Sequence, residues 1–309
     1  MPDPTTPFDL SRARVCVILN AGSGKQSGDD IAILLERELA PRAAEFSLIR
    51  TARGDDLPRL ARQAVSDGFS LIVAVGGDGT QSAIAGALTG SDVVMGVIPG
   101  GTFNYFARDL GVGETPEQAL ETLLGGRTGR IHVGTINGQV FLNNVSFGAY
   151  PDILKQREDI YRRWGRSRIA AYWSVIVALR NLRRPMRLTV GERVFTTALA
   201  FVANNRLQME QFDLDGKEAI EAGKFALMIA HASRPWPLIG AALRLAFGRS
   251  ARGSDFDLIV TDQITIETRP ARQLVAHDGE KSRMDGPFRL QVHRNALTVL
   301  LPAASQDQA

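Results

Sequence analysis

Leu71-Ile-Val-Ala-Val-Gly-Gly-Asp-Gly-Thr80 is an apolar, β-branched run that stops abruptly in three glycines, an aspartate and a threonine. Five apolar residues without a polar face suit a strand covered on both sides, and Gly76, Gly77 and Gly79 let the backbone turn and approach a ligand closely. Gln81 to Leu88 has helix-forming spacing. A strand, a glycine turn and a helix N-terminus bring free N–H groups and the positive end of a helix dipole to one place, which suits phosphate. Asp78 falls inside the expected turn. A carboxylate beside phosphate is electrostatically unfavourable unless it holds Mg²⁺ or takes a proton from an attacking hydroxyl, so Asp78 argues for phosphoryl transfer over passive binding. The plain alternative is a left-handed turn closed by Asp-Gly.

Upstream, Arg14 to Leu19 reads as a first strand, followed by the glycine-rich Asn20-Ala-Gly-Ser-Gly-Lys-Gln-Ser-Gly28 and a helix over Asp29 to Ala40, with Ser27 as its cap. The loop lacks the four-residue spacer and the Ser or Thr after Lys25 of a Walker A sequence, yet it offers backbone donors and Lys25 as a point charge. Glu45 to Arg50 is a second strand, Asp56 to Ser66 a helix, and Thr80 to Leu88 another. Val93 to Ile98 is a further strand, ending in Pro99-Gly-Gly-Thr-Phe-Asn104. Such alternation implies right-handed βαβ units on a parallel sheet. The loops at 20–28, 51–55, 76–80 and 99–104 then share one sheet edge, where ligands bind in open α/β folds.

After Arg130 the pattern changes. Ile131 to Ile136, Asn137-Gly138 and Gln139 to Asn143 form a hairpin signal. Strand-like runs follow at Met186–Val190, Val194–Val202, Phe225–Ala230, Phe256–Val260, Ile264–Thr268, Gln273–Ala276, Phe288–His293 and Leu297–Leu301. The expected architecture is α/β: an N-terminal Rossmann-like three-layer α/β/α domain over 1–130 and a C-terminal β-sandwich over 131–309, whose end can return to the first domain.

At 309 residues and 44% hydrophobic content the chain can bury a sizeable core. The lone Cys16 cannot form an internal disulfide, and a reducing cytosol is the natural reading. Ile169 to Leu179, with 11 uncharged residues, is shorter than the roughly 20 needed to span a bilayer. No secretory signal opens the sequence, so a soluble or peripheral protein is expected. The net charge is only +3, but between Lys155 and Arg187 stand ten basic residues against Glu158 and Asp159. Tyr161, Trp164, Tyr172 and Trp173 lie among them, as at a lipid interface; this favours an anionic membrane surface at the inner face of the membrane over nucleic acid. The alternative is a solvated helix with core aromatics. The four histidines show no metal spacing, and no Gly-x-Ser-x-Gly elbow is present, which argues against a serine hydrolase.

Val75-Gly-Gly-Asp-Gly-Thr80, Gly101-Thr-Phe-Asn-Tyr-Phe-Ala-Arg-Asp-Leu110 and His277-Asp-Gly-Glu280, in that order, resemble the diacylglycerol-kinase catalytic family, which includes bacterial lipid kinases and the sphingosine and ceramide kinases. Asn20 to Gly24, Thr51 and Asn143-Asn-Val-Ser-Phe-Gly148 fit the same pattern. The resemblance implies ATP with Mg²⁺, the nucleotide lying between the domains: Asn20, Ser23, Gly24 and Thr51 near it, and Gly76 to Thr80 with Thr102 near its phosphates. It also implies Gly101, Asn104 and Asp278 as motif residues of the nucleotide site, Asp78 as the metal contact, and Glu280 as general base for a lipid hydroxyl. Asp278-Gly279 reads independently as a hairpin turn between Gln273–Ala276 and Phe288–His293. Two departures stand out. Tyr105 replaces a common aspartate, and Glu221-Ala-Gly-Lys-Phe-Ala-Leu227 lacks, at Ala222 and Ala226, aspartates the family commonly carries, which puts a structural Mg²⁺ there in doubt. Asp213-Leu-Asp-Gly216 is a turn rather than a calcium loop, since Gln211 and Ala222 stand at two principal ligand positions.

The expected function is an ATP-dependent kinase of a neutral lipid, of the diacylglycerol, ceramide or sphingoid-base type, cytoplasmic and peripheral to the membrane. A soluble-substrate kinase resembling NAD kinase and a non-catalytic nucleotide- and membrane-binding protein are the alternatives, and a homodimer stays open.

Overall fold

The computed structural model describes residues 6–22, 28–148, 186–211, 216–230 and 256–303. The chain divides into two compact units, one of residues 1–133 with 293–309 and one of residues 134–292.

The first unit is built on strands β2 (Arg14–Asn20), β3 (Glu45–Thr51), β4 (Leu71–Gly76) and β5 (Val94–Pro99). A two-residue β1 (Thr6–Pro7) pairs antiparallel with the start of β6 (Arg127–Ile136). The spatial order is β5-β4-β2-β3, all parallel. Every residue of β4 and β5 is buried, which explains the continuous apolar runs, since a strand covered on both faces has no side for a polar residue. Each fully buried Val, Leu or Ile there contributes about 1.5–3 kcal/mol of transfer free energy.

Helices α1 (Gly28–Leu39), α2 (Leu57–Ser66), α3 (Asp78–Leu88), α4 (Tyr105–Asp109) and α5 (Pro116–Gly125) connect or follow these strands. From β2 the chain moves outward to β3, then crosses back over β2 to β4 and on to β5. With right-handed crossovers this puts α1 on one face and α2 and α3 on the other. The winding reverses between β2 and β4, so the loops leaving these two neighbours diverge and open a crevice at their carboxyl ends. Sequence periodicity assigns no element to 116–125, yet Thr115 and Gln118 form a reciprocal capping box there and Pro116 opens the helix.

The second unit is a β-sandwich. One antiparallel sheet runs β13-β12-β11-β8-β15-β16, from β8 (Asn144–Gly148), β11 (Leu199–Ala203), β12 (Phe225–Ala230), β13 (Phe256–Thr261), β15 (Arg272–His277) and β16 (Glu280–Asp285). The other runs β10-β9-β14-β17, from β9 (Met186–Val190), β10 (Arg193–Thr197), β14 (Gln263–Glu267) and β17 (Phe288–Leu301). A short β7 (Gln139–Phe141) pairs with β6. Alternate residues of both sheets, among them Phe147, Val202, Leu227 and Val275 from one and Leu188, Ile266, Phe288 and Leu290 from the other, meet in one apolar core.

Three strand expectations are corrected. Val194–Val202 is not one strand: the chain breaks at Ala198, where the Thr197 hydroxyl turns the backbone, and β10 and β11 enter different sheets. Phe288–His293 and Leu297–Leu301 are one strand, β17, which pairs antiparallel with β14 at its start and parallel with β5 at its end. The Asp278-Gly279 turn joins β15 to the polar Glu280–Asp285, which carries no apolar pattern because it is the edge of its sheet.

Candidate functional site

The first unit brings together the loops after β2, β4 and β5. Gly76, with φ of 156°, ends β4, and its carbonyl accepts from Gly100 N at 3.0 Å and from the Gln81 side-chain amide at 2.9 Å. A Cβ on Gly101 would lie 2.6 Å from Gly77 Cα and one on Gly77 3.2 Å from Gly101 Cα, so the two loops touch backbone to backbone, which excludes a side chain at Gly101 and leaves little room for one at Gly77. The glycines are thus required first by this close approach of two loops. Asn104, with φ of 51°, closes the second loop: its Oδ1 accepts from Gly101 N at 2.8 Å and its amide donates to Gly101 O at 3.2 Å.

Asn20 spans the crevice. Its amide donates to Thr80 Oγ1 at 2.9 Å, and its Oδ1 accepts from Gly22 N at 3.1 Å. Thr51 holds the same loop through its carbonyl, which accepts from Ala21 N at 2.7 Å, while its hydroxyl accepts from Arg53 N at 3.1 Å. Four expected ligand contacts, Asn20, Thr51, Thr80 and Asn104, therefore spend polar groups on one another or on their own loops. Thr102 is exposed. Gly77 caps α3 without a side chain, so the first-turn N–H groups of α3, Gly79 among them, sit at a helix end that no cap side chain covers. Ser23, Gly24 and Lys25 lie outside the described residues.

Asp78 is the first residue of α3, not part of the turn before it. Its Oδ1 accepts from Phe106 N at 3.0 Å, in the first turn of α4. The local N-cap of α4, Asn104, has its side chain turned to Gly101, and Asp78 supplies the missing acceptor from 28 residues away. Tyr105 stacks on the exposed Phe103, with ring centroids 5.6 Å apart and planes 8° from parallel. Burial, reinforced by the charge of Asp78, pushes the Tyr105 phenol above its ordinary range. Gln81, fully buried, is a site neighbour that sequence reasoning passes over; its Oε1 has no partner, and a polar residue inside an apolar helical face was the available signal.

In the second unit Asp278 and Gly279, with φ of 47° and 84°, form the two-residue turn between β15 and β16, and His277 and Glu280 are the closing pair. Glu280 is exposed at the first position of β16. Asp278 is 5% exposed, and its carboxylate accepts from Leu142 N and Asn143 N at 2.7 Å each and from Asn144 N at 3.1 Å. Asp278 is thus buried, with its carboxylate spent on the backbone of residues 142–144.

At the departure noted in sequence, Ala222 ends the helix Lys217–Glu221, and Ala226 is fully buried in an apolar cluster with Met209, Ile220 and Met228. Glu221 pairs with Arg206 at 3.5 Å, and Glu210 with Lys217. The donor set that the described residues offer here does not suit a divalent cation. Among the described residues no group of three or more His, Cys, Asp or Glu side chains converges, and no helix is long and apolar enough to cross a membrane. Asp213 and Asp215, and the basic segment apart from Arg187, lie outside the described residues.

The family model of the diacylglycerol kinase catalytic domain matches residues 14–136. The chain is 33% identical over 147 residues to the diacylglycerol kinase of Bacillus subtilis (strain 168), an alignment covering 47% of this chain and 48% of that protein. It is 31% identical over 202 residues to a diacylglycerol kinase of Mycobacterium tuberculosis, covering 62% and 65% respectively. The chain spans about half the length of the Bacillus subtilis relative it matches. A solved structure described as a diacylglycerol kinase of Bacillus anthracis str. Sterne superposes with a TM-score of 0.69 at 20% identity, covering 94% of this chain and 98% of that one, a likeness of fold.

Proposed function

We propose that this protein, whose residues 14–136 match the family model of the diacylglycerol kinase catalytic domain, is an ATP-dependent lipid kinase that transfers the γ-phosphoryl group to the hydroxyl of a neutral lipid, diacylglycerol, ceramide or a sphingoid base. The observation that carries the reading is the junction at Gly76 and Gly77: two glycine loops, after β4 and β5, in backbone contact beside a helix N-terminus with no side-chain cap, next to the reversal between β2 and β4. That combination supports phosphate binding.

In this reading the α3 first-turn N–H groups, including those of Gly79 and Thr80, and the Thr102 hydroxyl receive the phosphates. Asn20, Thr51, Gly101 and Asn104 hold the receiving loops in shape. When bound, ATP supplies the phosphoryl group and Mg²⁺ the countercharge; Asp78 is the carboxylate that would meet the ion, while its Oδ1 keeps α4 in place. Glu280, exposed on a hairpin tip, takes the proton of the lipid hydroxyl as its oxygen bonds the γ-phosphorus and the bond from that phosphorus to the β,γ-bridging oxygen breaks, releasing ADP, a role worth about 10²–10⁴-fold in rate. The basic segment from Lys155 to Arg187 docks the protein on an anionic membrane surface.

The deciding experiment is transfer of radiolabelled phosphate from ATP to a panel of diacylglycerol, ceramide, sphingosine and NAD. Labelling of one or more of the three lipids is expected. Labelling of NAD alone would replace the reading with a soluble-substrate kinase, and no labelling with intact ATP binding would leave a binding protein.

A further inference from the structure

Five amide side chains in the second unit, Asn143, Asn144, Asn204, Asn205 and Gln208, are tied into one network, and four of them are buried to 8% exposure or less. Asn205 donates to Asn143 Oδ1 at 2.8 Å, and Asn144 donates to Gln208 Oε1 at 2.9 Å. Gln208 N returns a bond to Asn205 Oδ1 at 3.0 Å. Asn204 clamps the backbone of the same loop from its other end, donating through its amide to Leu142 O at 3.1 Å and through its N–H to Asn143 O at 2.8 Å. The loop 142–144 so held is the one whose three successive N–H groups bind the Asp278 carboxylate, and Asn144 O accepts from Asp278 N at 3.1 Å.

Burying this many amides is no cheaper than an apolar core of equal volume. What a fully connected polar network adds is a unique geometry, because each donor has one acceptable partner position. The feature that geometry controls lies two residues from Asp278. Glu280 begins β16, which among the described residues is an edge strand with β15 as its neighbour. β16 is tied by backbone bonds to β15, and β15 pairs in turn with β8 at Ala276 and His277. The Asp278 carboxylate adds a side-chain attachment to this backbone pairing, at the turn itself, and the amide network holds the loop that receives it.

We infer that Asn143, Asn144, Asn204, Asn205 and Gln208 are a positioning frame which, through Asp278, fixes the place and direction of Glu280. The inference rests on the reading of Glu280 as the general base. None of the five amides touches the reacting atoms; they act through Asp278 and the turn.

The test uses the full chain with Asn205→Ala, which removes the amide that bonds Asn143 Oδ1 and Gln208 N, and Gln208→Met, a near-isosteric change that removes the acceptor for Asn144. Lipid-kinase turnover, ATP affinity by calorimetry and hydrogen exchange of the 277–282 amides are measured together. A displaced base loses roughly 10–10²-fold in kcat, so kcat should fall by about that factor in Asn205→Ala and less in Gln208→Met, with ATP affinity within about twofold of wild type and faster exchange at the hairpin tip. Folded variants with wild-type kcat and unchanged exchange at 277–282 would overturn the frame. If Asn205→Ala does not fold, Gln208→Met decides by the same readouts. If Glu280→Gln turns over like wild type, or wild type labels no lipid, the reading of Glu280 has failed separately, and hydrogen exchange alone then decides whether the network holds the turn.

Discussion

Asn20 Nδ2 donates to Thr80 Oγ1 at 2.9 Å, linking the end of β2 to the first turn of α3 across the point where the winding of the sheet reverses. In an open α/β sheet the two loops on either side of that point diverge, and the crevice between them is where ligands bind. The bridge ties its two rims together, 60 residues apart in sequence.

The bridge should therefore show as coupling between the two residues. A net hydrogen bond of this kind contributes about 0.5–1.5 kcal/mol. In a double-mutant cycle of Asn20→Ala and Thr80→Val, the two losses in ATP affinity should be non-additive by about that amount. Strict additivity in calorimetric titrations would show that the bridge does not shape the nucleotide site.

Asp78 has a structural duty and a proposed chemical one, which two substitutions separate. Asp78→Asn keeps an oxygen for Phe106 N and loses the charge, so it should melt close to wild type while phosphoryl transfer is abolished. Asp78→Ala loses the α4 cap as well and should be less stable by about 1 kcal/mol, the usual worth of a helix cap. Wild-type turnover in Asp78→Asn would reduce the residue to a cap.

No tightly held cation is expected beside residues 213–227. A hard divalent cation wants six or more oxygens, usually including several carboxylates. Ala226 is instead packed among Met209, Ile220 and Met228, and Glu221 already faces Arg206. Mg²⁺ added to nucleotide-free protein should give little thermal stabilisation, whereas Mg²⁺ with ATP should give clear stabilisation. A tight Mg²⁺ or Ca²⁺ seen by calorimetry without nucleotide would overturn this.

Replacing Arg162, Arg163, Arg166 and Arg168 with Gln should weaken sedimentation with anionic vesicles far more than it lowers the melting temperature. Each Lys or Arg near an anionic leaflet contributes about 1 kcal/mol. Wild-type binding should itself fade as salt shortens the Debye length toward ~3 Å at 1 M. Equal sedimentation of wild type and variant would make the segment a solvated face.

Cys16 is fully buried in β2, and burial pushes its thiol up to about 11, with the charge of Asp67 adding to the shift. Once unfolded, the thiol ionises near its ordinary value of roughly 8.5. Above that pH the unfolded chain binds fewer protons than the folded one, so stability falls as pH rises. The contribution is fully present below roughly 8.5 and is lost as pH rises through about 11. The stability difference between wild type and Cys16→Ala should narrow or change sign over that window in denaturant titrations; a difference independent of pH would contradict the assignment.

The run from Leu71 to Thr80 determined its own strand and where it stops, because five consecutive apolar residues suit a doubly covered strand, but the turn is shorter than its glycines suggest: Gly76 still belongs to β4, and Asp78 and Gly79 already belong to α3. The alternation around it determined a parallel sheet, and Asp278-Gly279 determined a two-residue turn. Tertiary structure alone decided what Asn20, Asn104, Asp78 and Asp278 do. Their partners are Thr80, Gly101, Phe106 and the backbone of residues 142–144, and three of these four pairings join residues 28 to 136 positions apart. Local periodicity reports which face of an element is apolar; it carries no information about which distant donor a polar side chain will meet. Nor could it find β16, whose residues are polar because an edge strand is half exposed, or the break at Ala198 that sends β10 and β11 into different sheets. Those outcomes depend on which strands become neighbours, and that is settled only when the two sheets close on their shared apolar core.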